Sequence, residues 1–182
     1  LLKPNNLTSQ SVGQGFIMCE VKKNKKILVL NLLCNLFMRK SEDLFESVKN
    51  LLKNYELKKN CDAIIIDIHG EAASEKQALA NYLDGKVTAI IGTHTHVPTS
   101  DLRILPNGTA YQTDAGMCGD YDSVIGMDKN NSLNRFMRLN SVKHFPAEGE
   151  ATLSGVIVDC DIETGLANKI ESYIFGGQLD NN

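Results

Sequence analysis

Ala63-Ile64-Ile65-Ile66-Asp67-Ile68, followed at once by His69, and Val87-Thr88-Ala89-Ile90-Ile91-Gly92, followed by Thr93-His94-Thr95-His96, are two short apolar runs that each lead into histidine. Both are rich in β-branched residues and too short for buried helices, the pattern of strands covered on both faces. Between them Ser74 and Gln77 stand three apart, the spacing of a capping box, and open a helix that runs through Tyr82 and Leu83 to a stop at Gly85. Strand, helix and strand within about 30 residues make one βαβ unit, so the two strands are expected to be parallel.

Parallel strands end at the same edge of their sheet, and that edge is where open α/β sheets bind ligands. His69, His94 and His96 therefore collect there. In an extended stretch residues two apart point the same way, so His94 and His96 can converge, as can Asp67 and His69. Imidazoles gathered in this way suit a metal such as Zn, Mn or Fe, and Asp67 is placed to accept a hydrogen bond that orients a ligating ring. The alternative is that these are satisfied polar residues at strand ends. The fourth histidine, His144, is far from this edge in sequence and reads as a surface residue. Asp114, Asp120 and Asp122 read as solvated loop acids outside the site.

On either side of this unit the pattern continues. Residues 15–21 and 27–33 are β-type runs joined by the polar turn Lys22-Lys23-Asn24-Lys25-Lys26, a hairpin. Ser41 is the expected cap of a helix whose apolar residues Leu44, Phe45, Val48, Leu51, Leu52 and Tyr55 share one face, ending near Lys58. Residues 103–105 and 109–113 flank Pro106-Asn107-Gly108, a strong hairpin signal. A short helix is expected at 132–138. A closing hairpin of residues 152–160 and 168–175 turns at Glu163-Thr164-Gly165.

With 182 residues, 42% hydrophobic and 23% charged, the chain fits one domain spanning 1–182. A net charge of -3 leaves no broad basic surface for nucleic-acid backbone. Cys19, Cys34, Cys61, Cys118 and Cys160 are scattered singly, which excludes a zinc knuckle or a disulfide framework and implies a reduced cytoplasmic setting. The longest apolar run, residues 27–33, is far short of the roughly 20 residues of a membrane helix, and no signal peptide opens the chain.

Gly92-Thr93-His94-Thr95-His96-Val97 is similar to the G-H-x-H signature of calcineurin-like metallophosphoesterases. Together with Asp67-Ile68-His69-Gly70-Glu71, Arg103-Ile104-Leu105-Pro106-Asn107-Gly108, Thr113-Asp114-Ala115-Gly116-Met117, Gly126-Met127-Asp128 and Ala147-Glu148-Gly149, it resembles the YmdB-like branch. The match runs in order from Lys3-Pro4 to about Ile170. The resemblance implies an αββα sandwich and a phosphodiesterase of 2',3'- or 3',5'-cyclic nucleotides. It also implies two metal ions, Fe or Mn, bridged by a carboxylate and a hydroxide. By motif position His69 and His94 would ligate one ion and His96 the other.

The departures carry their own expectations. The family's G-D-V-x-G aspartate, the glutamate of N-G-E-N and the acid–base histidine of G-N-H-T-W-D do not occur here, and Cys34-Asn35 stands where the family usually has Gly-Arg. The reading is a C-terminal portion of the domain, its N-terminal part missing, with no catalytic residue of its own. Leu1 in place of Met fits an excerpt or a gene that lost its beginning. Three functional readings compete: a phosphodiesterase completed by a separate N-terminal polypeptide, an inactive remnant, or a metal- or nucleotide-binding module without catalysis. Apolar edges left unpaired are expected to cause poor solubility or homo-oligomers.

Overall fold

In the computed structural model, which describes residues 1–8, 12–139 and 143–180, the lysine-rich turn makes the hairpin its sequence predicts. β1 (Phe16–Val21) pairs antiparallel with β2 (Lys25–Leu33), and Lys23 and Asn24 take left-handed backbone, φ 63° and 55°, to reverse the chain. β3 (Ala63–His69) and β4 (Ala89–Thr93) follow in parallel beside β2, the expected βαβ arrangement. β5 (Arg103–Ile104) and β6 (Ala110–Gln112) form the hairpin at Asn107-Gly108, and β6 also extends the parallel set by pairing with β4. The resulting six-stranded sheet has the order β1-β2-β3-β4-β6-β5. β7 (Gly119–Asp120), β8 (Ala151–Cys160) and β9 (Ala167–Phe175) make a second, antiparallel sheet of three strands.

Side-chain alternation decides where the core lies. Leu28, Leu30 and Leu32 of β2 and Ile64, Ile66 and Ile68 of β3 are fully buried, in one cluster with Leu44 and Val48 of α1 (Leu44–Leu52) and Leu79, Ala80 and Leu83 of α2 (Ala73–Leu83). The opposite face is covered less. Ile65, Asp67 and His69 are only half-buried, which corrects the expectation that β3 is enclosed on both sides. The second sheet meets the first at β4 and β6, where Ala89, Ala110 and Ala167 pack with Ile91, Val158 and Ile170.

The helices depart from expectation at their ends. Asp43, not Ser41, caps α1 by accepting from Glu46 N at 2.8 Å, because the Ser41 hydroxyl is already bound by Asn35 Nδ2. That helix ends at Leu52 rather than near Lys58, and Asn60 Nδ2 takes the Asn54 carbonyl just beyond it. The N-cap of α2 is Ala72 with no side-chain hydrogen bond, and Ser74 lies inside the first turn, so the capping box is not made. α3 (Lys129–Phe136) starts earlier than predicted because Asp128 caps it through Asn131 N. His144 is half-buried rather than a surface residue, and its Nε2 is enclosed without a hydrogen-bond partner among the described residues.

Candidate functional site

β3 and β4 end side by side, with His69 in register with Thr93. Gly92 permits the approach of the next segment: a Cβ there would stand 1.7 Å from the Thr113 carbonyl oxygen, a gap only glycine leaves open. Beyond Thr93 the backbone is no longer extended, since His94 has φ 128° and His96 φ 67°. Such values are uncommon for residues with a Cβ and need a surrounding structure that fixes them.

Lys76 supplies much of that fixing. It is wholly buried, and its Nζ donates to the carbonyls of Thr93 at 2.8 Å and Thr113 at 3.0 Å, with Asp114 Oδ2 at 3.5 Å. Asp114 in turn accepts from the backbone N–H of Thr95, between the two histidines, at 2.8 Å, and from Gly116 N at 2.9 Å. Asp114 is therefore buried, not the solvated loop acid its position suggested, and Asp120, 9% exposed, is likewise turned inward to accept from Asp122 N and Gly149 N. Asp122 keeps a solvent-facing ion pair with Lys129.

His69 and His94 meet. Their rings lie edge to face with centroids 4.9 Å apart, and His69 Nε2 is 3.2 Å from His94 Nδ1. A neutral imidazole carries one N–H and one lone pair. His94 Nε2 lies 3.0 Å from Glu71 Oε2, an acceptor, so the proton belongs on Nε2 and the lone pair of Nδ1 faces His69. His69 Nδ1 is engaged by Thr93 Oγ1 at 3.0 Å, which turns its Nε2 toward His94. Two nitrogen lone pairs directed at one another call for a positive centre between them, either a proton or a metal cation. Nitrogens about 2.1 Å from one ion and separated as these are would subtend an angle of roughly 100° at it, a separation that fits ligation of a shared cation. Burial, reinforced by neighbouring His94 and opposed by Asp67, holds the His69 imidazole below its ordinary pKa and favours the neutral form a metal requires.

His96 is engaged elsewhere. Its Nδ1 donates to the Ile125 carbonyl at 2.8 Å, leaving the lone pair of Nε2 unengaged by any hydrogen bond among the described residues. Among the described residues no group of three or more His, Cys, Asp or Glu side chains is arranged to hold one metal ion, so the three imidazoles do not meet at a single point. Among the described residues no hydrogen bond joins Asp67 to a histidine ring. Its Oδ1 accepts from Thr93 Oγ1 at 2.8 Å and its Oδ2 from Asn31 Nδ2. Sequence reading passed over Thr93, Glu71 and Lys76; the register of two equal strands, which sets Thr93 beside His69, was the signal that could have found the first.

Comparison with known proteins adds independent findings. A family model described as "YmdB-like protein" matches residues 1–173. The chain is 45% identical over 175 residues to the "2',3'-cyclic-nucleotide 2'-phosphodiesterase" of Bacillus subtilis strain 168, covering 96% of this chain and 65% of that protein. Among solved structures, a hypothetical protein from Thermus thermophilus superposes with a TM-score of 0.87 at 36% identity, over 97% of this chain and 68% of the other. A novel phosphatase from Mycoplasma pneumoniae superposes with a TM-score of 0.84 at 38% identity, over 96% and 63%. The chain thus spans a little under two thirds of the Bacillus protein.

Proposed function

Because this chain belongs to the YmdB-like family, we propose that it is a metal-dependent phosphodiesterase of cyclic nucleotides. The observation that carries the reading is the pair of imidazole nitrogens facing each other at 3.2 Å on the ligand-binding edge of a parallel sheet. In this reading His69 Nε2 and His94 Nδ1 hold one ion and His96 Nε2 holds a second, with Fe or Mn as the metals. Metal held by these imidazoles would supply a water of lowered pKa and positive charge to offset what builds on the phosphoryl oxygens. The chain's own residues orient the ligands: Glu71 fixes the His94 ring, the Ile125 carbonyl fixes His96, and the Lys76–Asp114 pair stiffens the turn that carries both. The activity for which the Bacillus relative is named supports a 2',3'-cyclic nucleotide as substrate.

Two cations a few Å apart repel strongly unless anionic ligands lie between them. The reading therefore calls for a partner segment, on the same or another polypeptide, that brings the family's carboxylate and acid–base histidine motifs. A second reading, a one-ion or nucleotide-binding module, is favoured by the fact that only two of the three imidazoles converge. One experiment separates them. Mn²⁺ binding is measured by calorimetry for the wild type and His94→Ala, and hydrolysis of 2',3'-cyclic AMP and bis-p-nitrophenyl phosphate is measured with Mn²⁺, with and without that partner. Mn²⁺ binding that His94→Ala abolishes, with turnover when the partner is present, is expected. Binding without turnover in either arm favours the module, and absence of Mn²⁺ binding overturns both the phosphodiesterase and the one-ion module.

A further inference from the structure

Four side chains on three neighbouring strands form a line of hydrogen bonds across the half-covered face of the sheet. Asn31 of β2 is in register with Asp67 of β3, and His69 of β3 is in register with Thr93 of β4. Asn31 Nδ2 donates to Asp67 Oδ2, Thr93 Oγ1 donates to Asp67 Oδ1 at 2.8 Å, and Thr93 Oγ1 lies 3.0 Å from His69 Nδ1. A carboxylate only accepts, and a threonine hydroxyl has a single proton to give. Once that proton is directed at Asp67, the hydroxyl can meet His69 only as an acceptor. His69 must then carry its proton on Nδ1 and keep its lone pair on Nε2, the atom that faces His94 at 3.2 Å.

We propose that Thr93 is a positioning residue that reads the charge of Asp67 and converts it into a fixed ring tautomer and orientation of His69. Among the described residues Asp67 bonds to Asn31 and Thr93 and makes no hydrogen bond to the ring, so the hydroxyl is the hydrogen-bonded link between them. Asn31 completes the line by holding the second carboxylate oxygen, which keeps the first aimed at Thr93. The inference rests on the metal reading for its purpose but not for its test, because the tautomer is a property of the metal-free chain.

The test is ¹⁵N-detected NMR of the His69 ring in the metal-free protein at about pH 8, where an ordinary imidazole is neutral. Wild type and Thr93→Ser are expected to show a protonated Nδ1, whether Nε2 is bare or shares a proton with His94, and Thr93→Val a bare Nδ1 or a mixture. Calorimetric Mn²⁺ affinity is expected to fall about 10- to 100-fold in Thr93→Val and to recover in Thr93→Ser, the range typical for residues that orient a metal ligand. If Thr93→Val does not fold, Thr93→Ala removes the same hydroxyl with less bulk. An unchanged Nδ1–H tautomer in the hydroxyl-free variant overturns the inference whatever the metal result. A wild type that binds no Mn²⁺ while the tautomer still shifts overturns the metal reading and leaves the positioning role standing.

Discussion

Lys76 is the side chain on which the histidine turn depends most, since one ammonium group ties the end of β4, the end of β6 and the buried Asp114 together. Replacing one partner of a buried, hydrogen-bonded charge pair leaves the other uncompensated, which costs about 3–5 kcal/mol. Lys76→Met is therefore expected to lower unfolding free energy in urea by that amount, and Lys76→Met with Asp114→Leu to recover part of it; a loss under about 1 kcal/mol in the single variant would contradict the assignment. The same turn explains what could be read of the site in advance. That His69 and His94 would meet followed from two parallel strands ending together. The expectation that His94 and His96 would point the same way used the two-residue repeat of extended chain, which fails here because His94 and His96 both have positive φ. Asp67 was expected beside an imidazole, but the residue opposite His69 in the sheet is Thr93, and the carboxylate reaches that hydroxyl instead.

Strands were more legible than helix ends, and the reason is competition for side chains. A run such as Ala63–His69 has only one low-energy way to bury Ile64, Ile66 and Ile68, so composition and period decide it. A helix cap is decided by which other groups want the capping atom: Ser41 is taken by Asn35, while Glu75, in the first turn of α2, reaches out to accept from Asn35 N at 2.8 Å and Leu36 N at 3.0 Å. These long-range claims leave no local trace. Glycine placement is more telling, and Gly92 gives the sharpest test of how β4 and β6 are joined. A methyl group there collides with the Thr113 backbone rather than with a side chain that could move aside. Gly92→Ala is expected to cost about 1–3 kcal/mol by overpacking, and to weaken Mn²⁺ binding as well, because the displaced segment carries Thr93 and His94. Differential scanning calorimetry and Mn²⁺ titration of the same sample check both; a stable variant with unchanged affinity would show that the close approach is not needed.

The two sheets are held unevenly. The large cluster of buried side chains lies between the six-stranded sheet and the two helices α1 and α2, whereas the three-stranded sheet joins the rest through a few alanines and partly buried aliphatics. Polar links supplement that small contact. Thr88 Oγ1 donates to the Gly165 carbonyl at 2.6 Å, Ala167 N to Gly108 O at 2.8 Å, and Lys58 Nζ to Ile162 O at 2.8 Å. Lys58 also pairs with Asp62, whose carboxyl is held well below the ordinary carboxylate range by the Lys26 N–H first and then by the Lys25 and Lys58 ammonium groups. A depressed folded-state value means that the stabilisation is present above the ordinary carboxylate range and is lost as pH falls below it. Thermal unfolding of wild type and Asp62→Asn should accordingly differ most near neutrality, and the difference should narrow progressively as pH falls below the unfolded carboxylate value. On the β8–β9 hairpin, Leu153, Ile157 and Phe175 are 48%, 47% and 62% exposed, and β7 pairs with just Ala151 and Thr152 of β8 among the described residues. Segments with few buried apolar contacts and solvent-facing ladder hydrogen bonds open at lower free energy than the core. Hydrogen exchange should therefore label β8 and β9 well before β2, β3 and β4, whose alternate residues are fully buried. The order should hold in Lys76→Met, where the central sheet is weakened near the histidines but the hairpin's own contacts are unchanged. Equal protection of the two sheets would mean that the few links across Ala89, Ala110 and Ala167 bind them into one cooperative unit.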